Sequence, residues 1–411
     1  MRTRRDVVRT LAGGAAALAT APLVPAPLAA QSPAPARAST AARAAIADVT
    51  ITDVRTYMLR KAIVIEVVSS AGISGWGESS PNNRDLVATF IRSAMRAQVV
   101  GRRAWDAEPI WDDLFFTHLD LGPSGVLPYA IAGIDIAMWD LRGRLAGLPV
   151  HKLIGGARRD RVRAYGSFGV DGGRRMTAAQ AGERAARFVA RGFTAVKLRM
   201  QLRERDVDPY PDPTFAYAQA VRRAVGDGVE LIVDINGGYT PARAIEMGRR
   251  LAGELGVRYF EEPVSSQVPE ALRQVVEALD LHVISGEKEY TRWQHRDVID
   301  RAGVDLLNPD VIKCGGITEA RKIAALAQAT SRRIVPHNTR PTLGTAATLH
   351  FAASLPNLGP FMEFPDVDDF TDLLAVLPVG GTFRDGHLDV PQGAGLGIEV
   401  DAARVRRAVV S

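Results

Sequence analysis

Residues 161–365 predict an α/β fold: parallel strands, each followed by a helix, closing into a barrel. Three observations lead there. Short apolar runs of strand character alternate with helix-patterned stretches, and this alternation yields a parallel sheet. About eight such strands occur, which is the number that closes. Polar residues recur at the strand ends, with spacings of 27 from Asp234 to Glu261, 26 to Glu287, 23 to Asp310 and 27 to His337. One strand-and-helix unit has about that length, so these side chains come from consecutive strands.

The N-terminus precedes any of this. It reads MRTRRDVVRTLAGGAAALATAPLVPAPLAA, a basic start followed by an apolar run from Leu11 to about Leu23. That pattern is a secretory signal, too short for a membrane span, and Arg4-Arg5 resembles a twin-arginine signal. We assign residues 1–36 to it and expect a periplasmic or exported protein. Residues 46–160 read as an α+β capping domain. VTITDVRTYMLR and AIVIEVVSSAGISGWGE are β-branched runs broken by the turn signals Arg60-Lys61 and Ala71-Gly72. A helix with a wide apolar stripe follows at 130–147, stopped by Gly147 and Pro149.

The barrel region then runs through RVRAYGSFG, FTAVKLRM, VELIVDIN, VRYFEEP, LHVISGEKE, VDLLNPDVI, RRIVPHN and FMEF, with helices between. From about Asp366 to the end, hairpin-like sequence returns, and we expect it to fold back on the capping domain.

Composition narrows the function classes. Of 411 residues, 46% are hydrophobic and 24% charged, enough for a large core. The formal charge of +5 is accounted for by residues 1–43, with six arginines against Asp6 alone. The remainder is near neutral, so no basic footprint for nucleic acid exists. Cys314 is the one cysteine, which excludes an internal disulfide and reads as a small buried hydrophobe.

In a barrel of this kind the chemistry sits at the C-terminal ends of the strands. Asp234, Glu261 and Glu287 end three consecutive strands. One such acid is better read as a helix cap or a surface ion pair. Three converging carboxylates repel unless a hard divalent cation sits among them, and all-oxygen ligands suit Mg²⁺. Asn236, two residues past Asp234 on the same strand, points the same way. It becomes a hydrogen-bonding neighbour or a substrate contact. Lys197 and Arg199 end an apolar strand and need an anion, supplied by the metal carboxylates or by a substrate carboxylate. His337 follows one strand after Asp310, which can orient it as a general base.

With these residues in place, the chain resembles the enolase superfamily, and within it the mandelate racemase-like subgroup. The resemblance rests on GWGE at 75–78, GIDIAMWDLRGRLAGLPVHKLIGG at 133–156, and VKLR, VDIN, FEEP, SGEK, NPDVIKCGG, VPHN and GLGIEVD in that order. It implies a modified (β/α)₇β barrel under an α+β capping domain, with Mg²⁺ on Asp234, Glu261 and Glu287. The strand-5 glutamate and the His337–Asp310 pair place it nearer mandelate racemase than the muconate-lactonizing branch.

One residue departs from the pattern. Two-base members carry Lys-x-Lys where this chain has Lys197 and Arg199, and a guanidinium gives up its proton poorly. The resemblance therefore implies one base, His337. Lys197 and Mg²⁺ hold the substrate carboxylate, and Glu363 donates to or braces one of its oxygens. The implied activity is an acid-sugar dehydratase that makes a 2-keto-3-deoxy acid through an enediolate, a superfamily pattern in general use. The alternative is a racemase, epimerase or sugar-lactone cycloisomerase. Asn82, Asn83 and Arg84 follow GWGES and are candidate substrate contacts. Related enzymes form dimers or octamers, so a homo-oligomer is expected.

Overall fold

The computed structural model describes residues 48–410, and the signal-like leader lies outside them. Strands β1 (Ile51–Leu59), β2 (Ala62–Ser69) and β3 (Ser74–Ser79) form an antiparallel meander. The predicted turns join them, Arg60-Lys61 between β1 and β2 and Gly72, at φ 72°, between β2 and β3.

Helix α1 (Arg84–Phe90) follows the meander, α2 (Ala107–Thr117) comes next, and α3 (Val126–Ala146) packs across the sheet. The two glycines of GWGE set how closely α3 approaches. A Cβ on Gly75 would lie 2.1 Å from the Ala137 carbonyl oxygen, and one on Gly77 2.2 Å from that of Gly133. Helix α3 is buried nearly all round rather than along one stripe, because the barrel covers its other side. Asp135 accepts hydrogen bonds from the Thr318 amide and hydroxyl on the barrel side.

The barrel strands are β4 (Arg161–Gly169), β5 (Ala195–Arg199), β6 (Glu230–Asp234), β7 (Tyr259–Glu261), β8 (His282–Ser285), β9 (Leu306–Leu307), β10 (Arg333–Ile334) and β11 (Met362–Pro365). Neighbours from β4 to β10 pair in parallel, and β11 pairs in parallel with β4. The Glu363 amide donates to the Pro336 carbonyl at 3.1 Å and closes the ring. Helices α4 (Ala178–Ala190), α5 (Thr214–Val225), α6 (Pro241–Leu255), α7 (Pro269–Ala278), α8 (Arg292–Asp297), α9 (Gly316–Ala329) and α10 (Leu343–Ser354) fill the gaps, so the barrel is (β/α)₇β.

Local sequence explains the starts. Thr177 and Gln180 form a capping box on α4, and Thr240 caps α6 ahead of Pro241. Tyr165, Ala195, Ile232, Ile284, Leu306, Val335 and Phe361 fill the barrel interior, leaving only its mouth for polar groups.

The C-terminal segment divides its contacts. Strands β12 (Phe383–Arg384) and β13 (His387–Asp389) form the expected hairpin, but β13 pairs antiparallel with Arg161–Arg163 of β4, a barrel strand. Those three residues precede the part of β4 that β11 and β5 pair with, so their edge is free for the hairpin. The later residues do meet the capping domain. The Leu396 amide donates to Asp140 at 2.7 Å, Arg144 donates to the Ile398 carbonyl at 2.7 Å, and the Val410 amide reaches the Met58 carbonyl. No helix among the described residues is long and apolar enough to cross a membrane.

Candidate active site

Strand pairing puts Asp234 of β6 beside Glu261 of β7. Glu287 lies beyond the last residue of β8, and the chain reaches it through Gly286 at φ 136°. A side chain there would be strained and would press on Asn308 and His295. The three acids are buried, and one carboxylate oxygen from each lies within 4.8 Å of the others.

Asn236 comes to the same place by another route than the expected strand alternation. The strand ends at Asp234, and Asn236 adopts φ 60°. Its amide N–H donates to Asp234 Oδ1 at 2.9 Å and its Nδ2 to Oδ2 at 3.1 Å. It holds the Asp234 carboxylate in position, and it also lines the cavity at the mouth.

Lys197 is fully buried. Its Nζ donates to Glu261 Oε1 at 2.6 Å and to Glu363 Oε2 at 3.1 Å, and sits 3.9 Å from Asp234. Burial opposes its charge, but Glu261 and Glu363 outweigh that and raise its pKa well above the ordinary lysine value. The two carboxylates therefore favour its charged form.

Asn308 Nδ2 donates to the same Glu261 oxygen at 3.1 Å, and Glu261 Oε2 is left buried without a partner. Burial pushes Glu261 up to about 8, against the pull of Lys197. Burial also raises Asp234, which Lys197 counters and Glu287 reinforces. An all-carboxylate donor set with an orphaned oxygen, held at this cost to ionisation, fits a divalent cation.

His337 Nδ1 meets Asp310 Oδ2 at 2.6 Å, and its Nε2 meets Glu287 Oε2 at 2.6 Å. Both residues lie past the regular ends of β9 and β10, joined by an isolated parallel bridge. Burial disfavours the imidazolium, but Glu287, then Glu363 and Asp310, overcome it and raise His337 to about 10. Conversely, burial acts to raise Glu287, yet His337 and Lys313 hold it well below the carboxylate range.

Glu363 is likewise pushed up by burial and held at about 2 by Lys197, His337 and Arg199. It braces Lys197 through the contact at 3.1 Å.

A cavity of about 230 Å³ opens over this cluster, lined among others by His337, Glu287, Lys313, Arg199 and Asn236. Of the candidate loop contacts, Asn82 lines it, whereas Asn83 and Arg84 do not. Asn83 adopts the left-handed conformation at the start of α1, and the Arg84 guanidinium donates to the Leu59 and Arg60 carbonyls.

Sequence reasoning missed Asn308, Lys288 and Arg340. Asn308 was legible, since it precedes Asp310 by two residues in NPD. Lys288 Nζ lies 2.7 Å from Glu204 and 3.0 Å from buried Glu262, and so neutralises the second acid of FEEP. Arg340 carried no sequence signal, because it sits in the loop after His337 rather than on a strand.

Comparison with known proteins agrees with this architecture. Residues 37–155 match the family described as mandelate racemase/muconate lactonizing enzyme, N-terminal domain, and residues 180–404 match the one described as enolase C-terminal domain-like. The D-galactarolactone cycloisomerase of Agrobacterium fabrum is 34% identical over 355 residues, 83% of this chain and 89% of that protein. The arabinonate dehydratase of Saccharolobus solfataricus is 30% identical over 343 residues, 82% and 88% respectively. A crystal structure of a mandelate racemase/muconate lactonizing protein from Paracoccus denitrificans, complexed with magnesium, superposes with a TM-score of 0.81 at 32% identity, over 87% of this chain and 98% of that one.

Proposed function

Because the chain belongs to the mandelate racemase/muconate lactonizing enzyme family of the enolase superfamily, we propose that it is a Mg²⁺-dependent acid-sugar dehydratase, a lyase. The observation that carries this reading is the His337–Asp310 pair, hydrogen-bonded at 2.6 Å, with the same imidazole 2.6 Å from Glu287 of the buried acid triad. Asp310 Oδ1 accepts the Ile312 amide at 3.0 Å, which leaves Oδ2 to accept the Nδ1 proton of a neutral His337. That tautomer presents Nε2 as the base. His337 then takes the proton α to the substrate carboxylate.

Asp234, Glu261 and Glu287 would hold Mg²⁺, which supplies positive charge to the carboxylate as the enediolate forms and offsets the pull of Glu287 on His337. Lys197, fixed as a cation by Glu261 and Glu363, adds charge that needs no reorganisation during the reaction. The imidazolium of His337 returns its proton to the departing β-hydroxyl. Water is lost, and the resulting enol becomes a 2-keto-3-deoxy acid.

A second reading, a sugar-lactone cycloisomerase, is favoured by the 34% relative of that name. It uses the same proton abstraction and expels a lactone oxygen in place of water. The test is His337→Asn. Loss of both α-proton exchange and keto-acid formation supports the assignment, and wild-type rates in the variant would remove His337 as the base. We propose in addition that residues 1–36 direct export, tested by fusing them to a reporter that requires the twin-arginine route.

A further inference from the structure

The chamber over His337 does not stand alone. A second cavity, about 410 Å³, adjoins it, and the two share Arg199, Gln201, Thr339 and Arg340. Five cationic residues line this second space: Arg60, Lys61, Arg175, Arg199 and Arg340. Its acids are Glu363, Asp366 and Asp369, and each is already neutralised by another cation. Lys197 holds Glu363 at 3.1 Å, Arg184 lies 2.9 Å from Asp366 and 2.8 Å from Asp369, and Arg191 lies 3.3 Å from Asp366.

The cations are not so matched. Arg60 pairs with Asp372 at 2.6 Å. Among the described residues, however, Lys61, Arg175, Arg199 and Arg340 have no carboxylate within ion-pair distance. Lys61 donates only to the Asp369 backbone carbonyl. Arg340 donates to the Thr339 carbonyl at 2.6 Å, stacks over Phe370 at 5.4 Å, and keeps its Nε buried and unpartnered. Arg199 likewise keeps its Nε buried and unpartnered. Arg199 feels Glu363 and Asp234, and Arg340 feels Glu78 and Asp310, but neither guanidinium touches a carboxylate, and crowded guanidinium groups repel each other and lose hydration at a cost that an entering anion offsets.

Resting on the acid-sugar reading, we propose that the second cavity is a subsite for an anionic group at the far end of the substrate. The substrate is then a sugar acid charged at both ends: an aldaric acid, or an aldonic acid phosphorylated at its terminal hydroxyl. With the reacting carboxylate at Lys197 and C2 at His337, the carbon chain extends past Arg199 and Arg340 towards Lys61 and Arg175. Arg199 then separates the two anions and contacts the middle or far part of the chain, a role that a guanidinium fills and that does not need it to lose a proton.

The experiment compares three acids of matched stereochemistry, an aldonate, the corresponding aldarate and the terminal phosphate of the aldonate, each with Mg²⁺ in D₂O. The readouts are α-deuterium incorporation and kcat/KM. Wild-type protein is expected to favour one or both of the doubly charged acids over the aldonate by about 100-fold or more, and whichever is favoured identifies the distal group as carboxylate or phosphate. Arg340→Gln and, separately, Arg175→Gln should narrow that ratio by about tenfold each. Arg175 is exposed, so its variant keeps the test sound if loss of Arg340 disturbs folding. Equal rates on the aldonate would overturn the subsite and leave the acid-sugar reading standing. A fall of the same size on all three acids in both variants would also overturn it, since that marks a structural role. Exchange on none of the acids would overturn both readings together.

Discussion

Replacing Asp310 with asparagine tests the geometry of the base more sharply than removing the base itself. Asp310 Oδ1 is engaged by the Ile312 amide at 3.0 Å, and Oδ2 faces His337 Nδ1 at 2.6 Å. In Asp310→Asn the one remaining carbonyl oxygen keeps the Ile312 contact, and the new NH₂ group turns towards the imidazole. A neutral His337 must then accept at Nδ1 and carry its proton on Nε2, where it cannot take another. The lost bond is charge-assisted and buried, worth about 1.5–3 kcal/mol. At 1.4 kcal/mol per decade, kcat/KM should fall by about 10- to 150-fold, with more lost if the wrong tautomer dominates. Asparagine preserves the volume and the turn, so the melting temperature should change little. The assay is α-deuterium exchange on the best substrate, with a thermal melt alongside. Activity within threefold of wild type would refute the positioning role, and so would an activity loss matched by a collapse of the melt.

Three further outcomes follow from the same structure. Chelation should abolish activity, and Mg²⁺ at a hundred times its dissociation constant should stabilise the wild-type fold by about 2.7 kcal/mol, visible as a rise in melting temperature that Glu261→Gln loses; a wild-type melt indifferent to Mg²⁺ refutes the metal site. Gly77→Ala should cost about 3 kcal/mol or more in chemical denaturation, because its Cβ would meet backbone at 2.2 Å, whereas Gly253→Ala, exposed in α6 with open space around it, should gain about 0.5–1 kcal/mol. His350 is held neutral by burial, its pKa lowered to about 4, while the unfolded chain takes up that proton near 6.5. Its contribution is therefore complete above about pH 6.5 and is lost as pH falls towards 4, by up to about 3 kcal/mol, and His350→Gln should flatten the stability difference between pH 7.5 and pH 5.

How much of this was legible in the sequence varied with the kind of interaction. Apolar strands that end in acids exposed the barrel and its mouth, because buried carboxylates at one height need a common partner. The His337–Asp310 pairing was legible for the same reason, through one-unit spacing. The path of the chain beyond the strand ends was not. Asn236 reaches Asp234 by a left-handed turn, and periodicity has no term for that. Lys197 and His337 converge on Glu363 from other strands, and that convergence depends on distances rather than on order in the chain. The β13 hairpin chose the free edge of β4, and which edge stays free is known only once the barrel has closed. Arg340, Arg175 and Lys61 come from loops far apart in the chain, and only folding brings them to one cavity.

The most direct measurement is to incubate the protein with Mg²⁺ in D₂O against a panel of aldonic, uronic and aldaric acids, and to read α-deuterium and 2-keto acid in the same samples. The account predicts one or a few acids that yield a 2-keto-3-deoxy product, with all activity lost on chelation. Exchange without a keto acid would keep the proton abstraction and transfer the function to isomerisation. No exchange on any acid, in protein that binds Mg²⁺, would contradict the central claim that this site removes a proton α to a carboxylate.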